Sequence, residues 1–102
     1  MPYLKMIKNG NKTLEARANY PNLRKIEVGD EITFVSGNLS ITTIVKRVCL
    51  YTNVVEILKT EVINDLIPNA SYLEAQHIYN SIYAPEKVEK NGGMLVFEVQ
   101  VI

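Results

Sequence analysis

Lys12, Glu15 and Arg17 fall within six positions of the stretch "NGNKTLEARANYPNLRKIEVGD", residues 9–30. Those three types at that spacing can do one of two things. An ammonium and a guanidinium can grip a phosphate or a base edge while the carboxylate accepts hydrogen bonds from a base or a ribose. Alternatively, a desolvated lysine beside a carboxylate can serve as a general base or activate a nucleophile. A third, purely structural outcome is a solvated strand face with a weak i, i+2 ion pair worth about 0–1 kcal/mol. In an extended strand, Thr13, Glu15 and Arg17 share one face, with Leu14 and Ala16 on the other. Strict alternation puts Lys12 with Leu14, so a cleft reading needs a twist or bulge that turns the Lys12 amine out. Tyr20 follows directly, in the turn Asn19-Tyr20-Pro21-Asn22.

Other chemistry-bearing residues are scattered. Arg24-Lys25 and Lys46-Arg47 are basic pairs that can supply secondary phosphate contacts or stand as separate solvated charges. His77, the one histidine, lies three residues past Glu74. With no second histidine and no cysteine cluster, no metal centre is expected. Tyr72, Tyr79 and Tyr83 can stack bases, although Tyr79 and Tyr83 sit on an apolar stripe where packing is the default. Cys49 is the sole cysteine, which excludes a disulfide framework and reads as a small core residue. There is no Walker loop, no GxGxxG, no GxSxG and no acidic cluster of the two-metal nuclease kind, and no cofactor is expected.

The bulk numbers set the frame. With 102 residues, 47% of them hydrophobic, the chain suits one domain with a modest core. Eleven basic residues balance eleven acidic ones, which argues against electrostatic coating of nucleic acid but leaves room for a local basic patch. No apolar run reaches membrane-spanning length and no signal-peptide pattern opens the chain, so a cytoplasmic protein without membrane contact is expected.

The elements that must position these residues follow from periodicity. Residues 2–9 read as a helix, with Pro2 at its start, Gly10 past its end, and Tyr3, Leu4 and Ile7 on one side. Residues 12–17 read as a strand, and Glu31–Val35 as another with Ile32 and Phe34 inward. Gly37-Asn38 makes a hairpin turn into a long strand, Leu39 to Tyr51. Its apolar parity changes between Ile41 and Ile44, which predicts a bulge near Thr42-Thr43. Residues 53–60 read as a helix, and Leu66-Ile67-Pro68 as a stop. Ser71 and Glu74 form a capping box for a helix from Tyr72 to Tyr83, which Ala84-Pro85 ends. A last strand runs from Met94 to Ile102, with Leu95, Phe97, Val99 and Val101 alternating against Val96, Glu98 and Gln100. The order predicts an α+β fold: a small, mostly antiparallel β-barrel with helices at its rim.

The stretch "MIKNGNKTLEARANYPNLRKIEVGDEITF" resembles the ASCH family, the activating-signal-cointegrator homology domains of the PUA-like superfamily. The pattern is a helix, then G-x-K-x-x-E-x-R, then I-x-x-G-D and an apolar strand. Here these are Gly10, Lys12, Glu15, Arg17, Ile26, Gly29 and Asp30. The similarity runs on through "DLIPNASYLEAQHIYNSIY" to "GGMLVFEV", nearly the whole chain, with small stand-alone members nearest in pattern. The resemblance implies residues 1–102 as one PUA-like β-barrel domain. It implies a cleft between barrel and helices, with RNA, a nucleotide or a modified nucleoside as ligand. It places Lys12, Glu15 and Arg17 in that cleft and matches Tyr83 to the family's aromatic at the end of the second long helix; Thr13, on the same strand face, and Tyr20 are further candidate ligand-binding residues.

Two departures qualify it. Similar proteins usually carry a strand before the first helix, and this chain begins almost directly in that helix. Either the start is trimmed, or the barrel has a gap that something else fills, with a homodimer contact there as one expectation. Some small members are amidohydrolases of N4-acetylcytidine that use a Lys, a Thr and a Glu. Lys12 matches the Lys, but Glu15 stands at the Thr position and no carboxylate stands near Pro68, where the catalytic Glu falls. Glu15 or Glu74 are the substitutes within reach. The leading expectation is an RNA- or nucleotide-binding module. The alternative is a small hydrolase of a modified nucleoside, with Lys12 and Glu15 catalytic, or a ribonuclease.

Overall fold

The computed structural model describes residues 2–102, with side chains from Leu4 onward. The inward placement expected for Tyr3 lies outside the described residues. The order is α1 (Pro2–Lys8), β1 (Leu14–Ala18), β2 (Glu31–Ser36), β3 (Leu39–Tyr51), α2 (Val54–Thr60), α3 (Ile63–Leu66), α4 (Tyr72–Ile82), α5 (Pro85–Lys90) and β4 (Met94–Val101). The four strands form one sheet in the order β1-β4-β3-β2, with every pairing antiparallel. It curls into a half-barrel with helices around it, the α+β barrel-like fold expected. Among the described residues the curl stops short of closure, because β1 and β2 do not pair and stand at the two ends of the strand order. Helix α1 lies beside the β2–β3 hairpin, with Leu4 and Ile7 packed against Ile41, Phe34 and Leu39.

Both faces of the sheet are covered. On the helix side, Leu14, Ala16, Ala18, Tyr51, Met94 and Val96 pack with Val54, Ile57, Leu66, Ala75 and Tyr79 from the helices. On the concave side, Val45, Leu95, Phe97 and Val99 meet Ile32, Phe34, Leu23 and Ile26. The last strand in the chain is therefore interior to the sheet, and Met94 and Val96 are as buried as Leu95 and Phe97. The alternation of Val96 with Leu95 and Phe97 holds, but β4 has a core on either side, so it is an alternation between two apolar environments.

The face switch in β3 is real, but the irregularity lies between Val45 and Arg47, not at Thr42-Thr43. Thr43 is fully buried, and its hydroxyl donates to the Ile32 carbonyl at 2.9 Å. A buried threonine at an inward position extends the odd parity from Ile41 to Val45, and Lys46 then takes the extra place. Two short helices escaped periodicity. α3 is a single turn. α5 begins at Pro85, which ends α4 and also opens the next helix, and Val88 is its one buried residue.

Local chemistry sets the remaining ends. Ser71 and Glu74 close a reciprocal capping box on α4, and the Asn53 side chain caps α2 by accepting from the Glu56 N–H at 2.9 Å. Gly93, with φ +117°, enters β4 so close to β3 that an added Cβ would lie 2.2 Å from the Tyr51 carbonyl oxygen. Among the described residues, no helix is long and apolar enough to cross a membrane.

Candidate functional site

β1 is an edge strand, and its free edge faces α3 and α4. Lys12 precedes it. Parity keeps the Lys12 stem on the Leu14 side, and the residue is 4% exposed. The turned-out amine expected from the sequence is thus corrected. The Lys12 Nζ points inward and donates to the carbonyls of Leu14 at 2.6 Å and Leu66 at 2.5 Å. Leu66 ends α3, where carbonyls have no partner inside the helix. The Thr13 N–H donates to the Asp65 carbonyl at 3.1 Å. Lys12 and Thr13 together pin the start of β1 to the end of α3.

Lys12 nevertheless reaches the expected charges. Its Nζ lies 3.8 Å from Glu15 Oε1, while Arg17 approaches Glu15 Oε2 at 3.5 Å. The Glu15 side chain is 15% exposed and Arg17 44%. Burial pushes the Lys12 ammonium below the ordinary lysine range; Glu15 opposes that shift and Arg17 reinforces it. A cavity of about 240 Å³ opens here, lined by Lys12, Glu15, Ala16 and Arg17 from the β1 side. Leu66 and Ile67 close one end, and Ile78, Tyr79, Ile82 and Tyr83 of the α4 region form the far wall. Tyr83 is half-buried, and burial raises its phenol above the usual range.

The other expected residues divide. Tyr20 packs at the edge of the helix-side core, with the Lys87 Nζ 5.5 Å from its ring centroid. A hydrogen bond that the Lys87 ammonium donates to the Tyr20 hydroxyl raises Lys87 above its usual range, and sequence reasoning did not single that lysine out. Arg24 is engaged by the fold: its Nε donates to the Asn19 carbonyl at 3.0 Å and its Nη2 to that of Asn91 at 3.1 Å. Arg47 is engaged more fully. Its guanidinium meets both Glu61 oxygens at 2.8 Å, Glu98 at 3.1 Å and the Cys49 Sγ at 3.0 Å. Lys25 and Lys46 are exposed. Glu74 is tied to the Ser71 cap, and His77 is exposed on α4. Among the described residues, no three His, Cys, Asp or Glu side chains stand close enough to share a metal ion.

Sequence reasoning missed the apolar wall of the cleft and the Arg47–Glu61 cluster. The i, i+4 pair Tyr79/Tyr83 was the available signal for the wall. Nothing local links Arg47 to a carboxylate 14 residues on.

Two further hollows adjoin the cleft. One of about 250 Å³ lies on the concave side, sharing Glu15 and Arg17 and floored by Ile32, Phe34 and Phe97. A larger groove of about 760 Å³ shares Tyr83 and runs past Asn53, Gln76, Asn80 and Glu89.

Comparison with known proteins now adds to this geometry. The ASCH domain model matches residues 1–101. The chain belongs to the ASCH domain family. The crystal structure of hypothetical protein PH0355 is similar over 99% of this chain and 92% of that one, at 30% identity and a TM-score of 0.89. The solution NMR structure of protein PF0455 from Pyrococcus furiosus is similar over 99% of this chain and 90% of that one, at 28% identity and a TM-score of 0.79. Neither is named for a ligand or an activity. No curated protein matches the chain.

Proposed function

We propose that this ASCH domain is an RNA- or nucleotide-binding module whose ligand enters the cleft between β1 and α4. The observation that carries the reading is the convergence of Lys12, Glu15, Arg17 and Tyr83 on one 240 Å³ cavity. Arg17, the exposed cation of the group, grips phosphate. Glu15 accepts from base or ribose and orients Arg17. Tyr83 offers an aromatic face and Lys12 lines the cavity, whereas Thr13, Tyr20 and Lys87 stand outside its lining. Lys25 and Lys46 supply outlying phosphate contacts, whereas Arg24 and Arg47 are already occupied. Zero net charge is compatible with this, because a short basic lip acts locally.

The test is a titration with a single-stranded RNA oligonucleotide at several salt concentrations. Affinity should fall as salt rises, and Arg17→Ala should weaken binding by about 1–3 kcal/mol. Affinity insensitive to both salt and Arg17→Ala would refute the reading.

One observation favours a second reading. A buried lysine with a depressed pKa beside a carboxylate is a hydrolase arrangement. Here Glu15 is the carboxylate within reach, since Glu74 is held in its cap. Incubation with N4-acetylcytidine, with Lys12→Ala as control, decides it: turnover lost in the variant supports an amidohydrolase. A homodimer across the free β1 and β2 edges is a separate proposal. A monomer mass at all concentrations in sedimentation would exclude it.

A further inference from the structure

The hydrogen-bond phase of β1 determines which of its backbone groups a ligand can reach. The Val99 N–H donates to the Thr13 carbonyl at 2.8 Å, and the Asn19 N–H donates to the Gly93 carbonyl at 3.1 Å. Odd residues of β1 therefore aim their backbone groups at β4. Even residues aim theirs at the free edge.

Three carbonyls face that edge: those of Leu14, Ala16 and Ala18. The first accepts from the Lys12 Nζ at 2.6 Å, and the last accepts from the Tyr20 N–H at 2.7 Å. Between them, among the described residues, the outward N–H and C=O of Ala16 have no partner. Such groups are normally paired.

The cavity lies against this same edge. It is lined by Ala16, whose side chain packs in the helix-side core, and by Glu15 and Arg17 from the opposite face of the strand. Only a cavity wrapped over the edge can touch both. Its far wall is largely apolar, formed by Ile78, Tyr79, Ile82 and Tyr83. At about 240 Å³ it is smaller than typical drug-sized pockets of about 300–1,000 Å³. That is room enough for one base ring system, with the pocket open on its solvent side.

We propose that the cleft takes a single neutral nucleobase edge-on, with its adjacent donor and acceptor paired to the C=O and N–H of Ala16. Sugar and phosphate then remain outside, toward the exposed Arg17. This rests on the nucleotide reading above and sharpens it: recognition is by main-chain groups along the Watson–Crick edge. An alkyl group on the edge nitrogen therefore blocks entry. Every base with a neighbouring donor and acceptor is admitted in principle, and the wall from Ile78 to Tyr83 selects among them by shape.

The experiment is an NMR titration of the full chain with uridine and guanosine 5′-monophosphates. Each is compared with its edge-methylated counterpart, 3-methyluridine or 1-methylguanosine monophosphate. At least one parent nucleotide should bind and shift the Ala16 amide proton downfield. Its methylated counterpart should bind at least ten-fold more weakly. Ala16→Pro removes the outward N–H without touching the ladder to β4, as edge strands permit, and should weaken the parent by about ten-fold, near 1.4 kcal/mol.

Equal binding of parent and methylated nucleotides, or a stationary Ala16 amide, overturns the proposal. If Arg17→Ala still weakens an RNA oligonucleotide in that case, the module reading stands and edge recognition alone falls. If no nucleotide and no oligonucleotide binds, both fall. Should Ala16→Pro fail to fold, the methylated pair on the unmodified chain decides alone.

Discussion

The molecule holds two clusters built from the same ingredients and uses them differently. Around Arg47, both Glu61 oxygens, Glu98 and the Cys49 sulfur receive the guanidinium, and Tyr51 also donates to Glu61. Around Glu15, a lysine and an arginine approach at 3.8 and 3.5 Å, at or beyond the limit of a good hydrogen bond. The first cluster is saturated and bidentate, and it fastens the residue after α2 to β3. The second is loose, beside an open cavity. A carboxylate and an arginine close in sequence thus say little about function until the unused valence is counted. The pair that the sequence made conspicuous is the weaker contact, and its polar atoms are less fully engaged than those of Arg47 and Glu61.

The largest expected effect comes from breaking the saturated cluster. Glu61→Ala removes a carboxylate whose side chain is 8% exposed and leaves Arg47 and Tyr51 without their main acceptor. The cost should be about 3 kcal/mol, the low end for a broken buried pair because Arg47 is partly solvated. Chemical denaturation measures it. RNA affinity at saturating folded protein should not change, and a parallel loss of affinity would mean the clusters are not independent.

Arg17→Ala should show the reverse pattern, with binding weakened by about 1–3 kcal/mol and stability within about 0.5 kcal/mol of the parent. A marked loss of stability would make the loose pair structural after all.

The pH dependence should separate the clusters by sign in the alkaline range. Arg47 holds Glu61 below the usual carboxylate range, so its contribution is present above the unfolded carboxylate pKa and is lost as pH falls toward the folded value. Burial, aided by Glu61, pushes Tyr51 up to about 12, so that contribution is full below about pH 10 and is lost as pH rises toward 12. Lys12 behaves oppositely to Tyr51 and with the same sign as Glu61. With its folded pKa depressed, the unfolded chain holds the extra proton, and stability gains as pH rises toward the unfolded value of about 10.4. Denaturation at stepped pH checks this: Lys12→Met should remove the alkaline gain and leave the acid loss untouched. The smallest effect is expected at Lys25. Lys25→Ala should move stability by less than about 0.5 kcal/mol and lower the salt slope of RNA binding by at most about one.

The sequence carried the facing of the β1 residues better than the contacts they make. Alternation alone put Glu15 and Arg17 on one face and Leu14 and Ala16 on the other, as found. The same rule put Lys12 with Leu14, and that too was right. What the sequence could not supply was the Lys12 acceptor, a carbonyl 54 residues away at the end of α3. A lysine looks misplaced on an inward parity until a distant helix end is known to need a donor. The bulge was misplaced because Thr43 reads as polar, although a buried hydroxyl bonded to Ile32 serves as a core residue. α5 was invisible because Val88 is its one inward residue, too few to show a period. The capping box at Ser71 and the Gly37-Asn38 hairpin were legible because each is a local hydrogen-bond or dihedral requirement.

The Lys12 side chain acts as a cross-brace. It joins the first edge carbonyl of β1 to the last turn of α3, and Thr13 adds a second tie beside it. The two sides of the cleft are therefore bolted together at one end, and the gap is set before any ligand arrives. On the proposed reading, such a jaw would admit or reject by width and would need little ordering on closure. Association should then be fast, with discrimination expressed in how long a ligand stays.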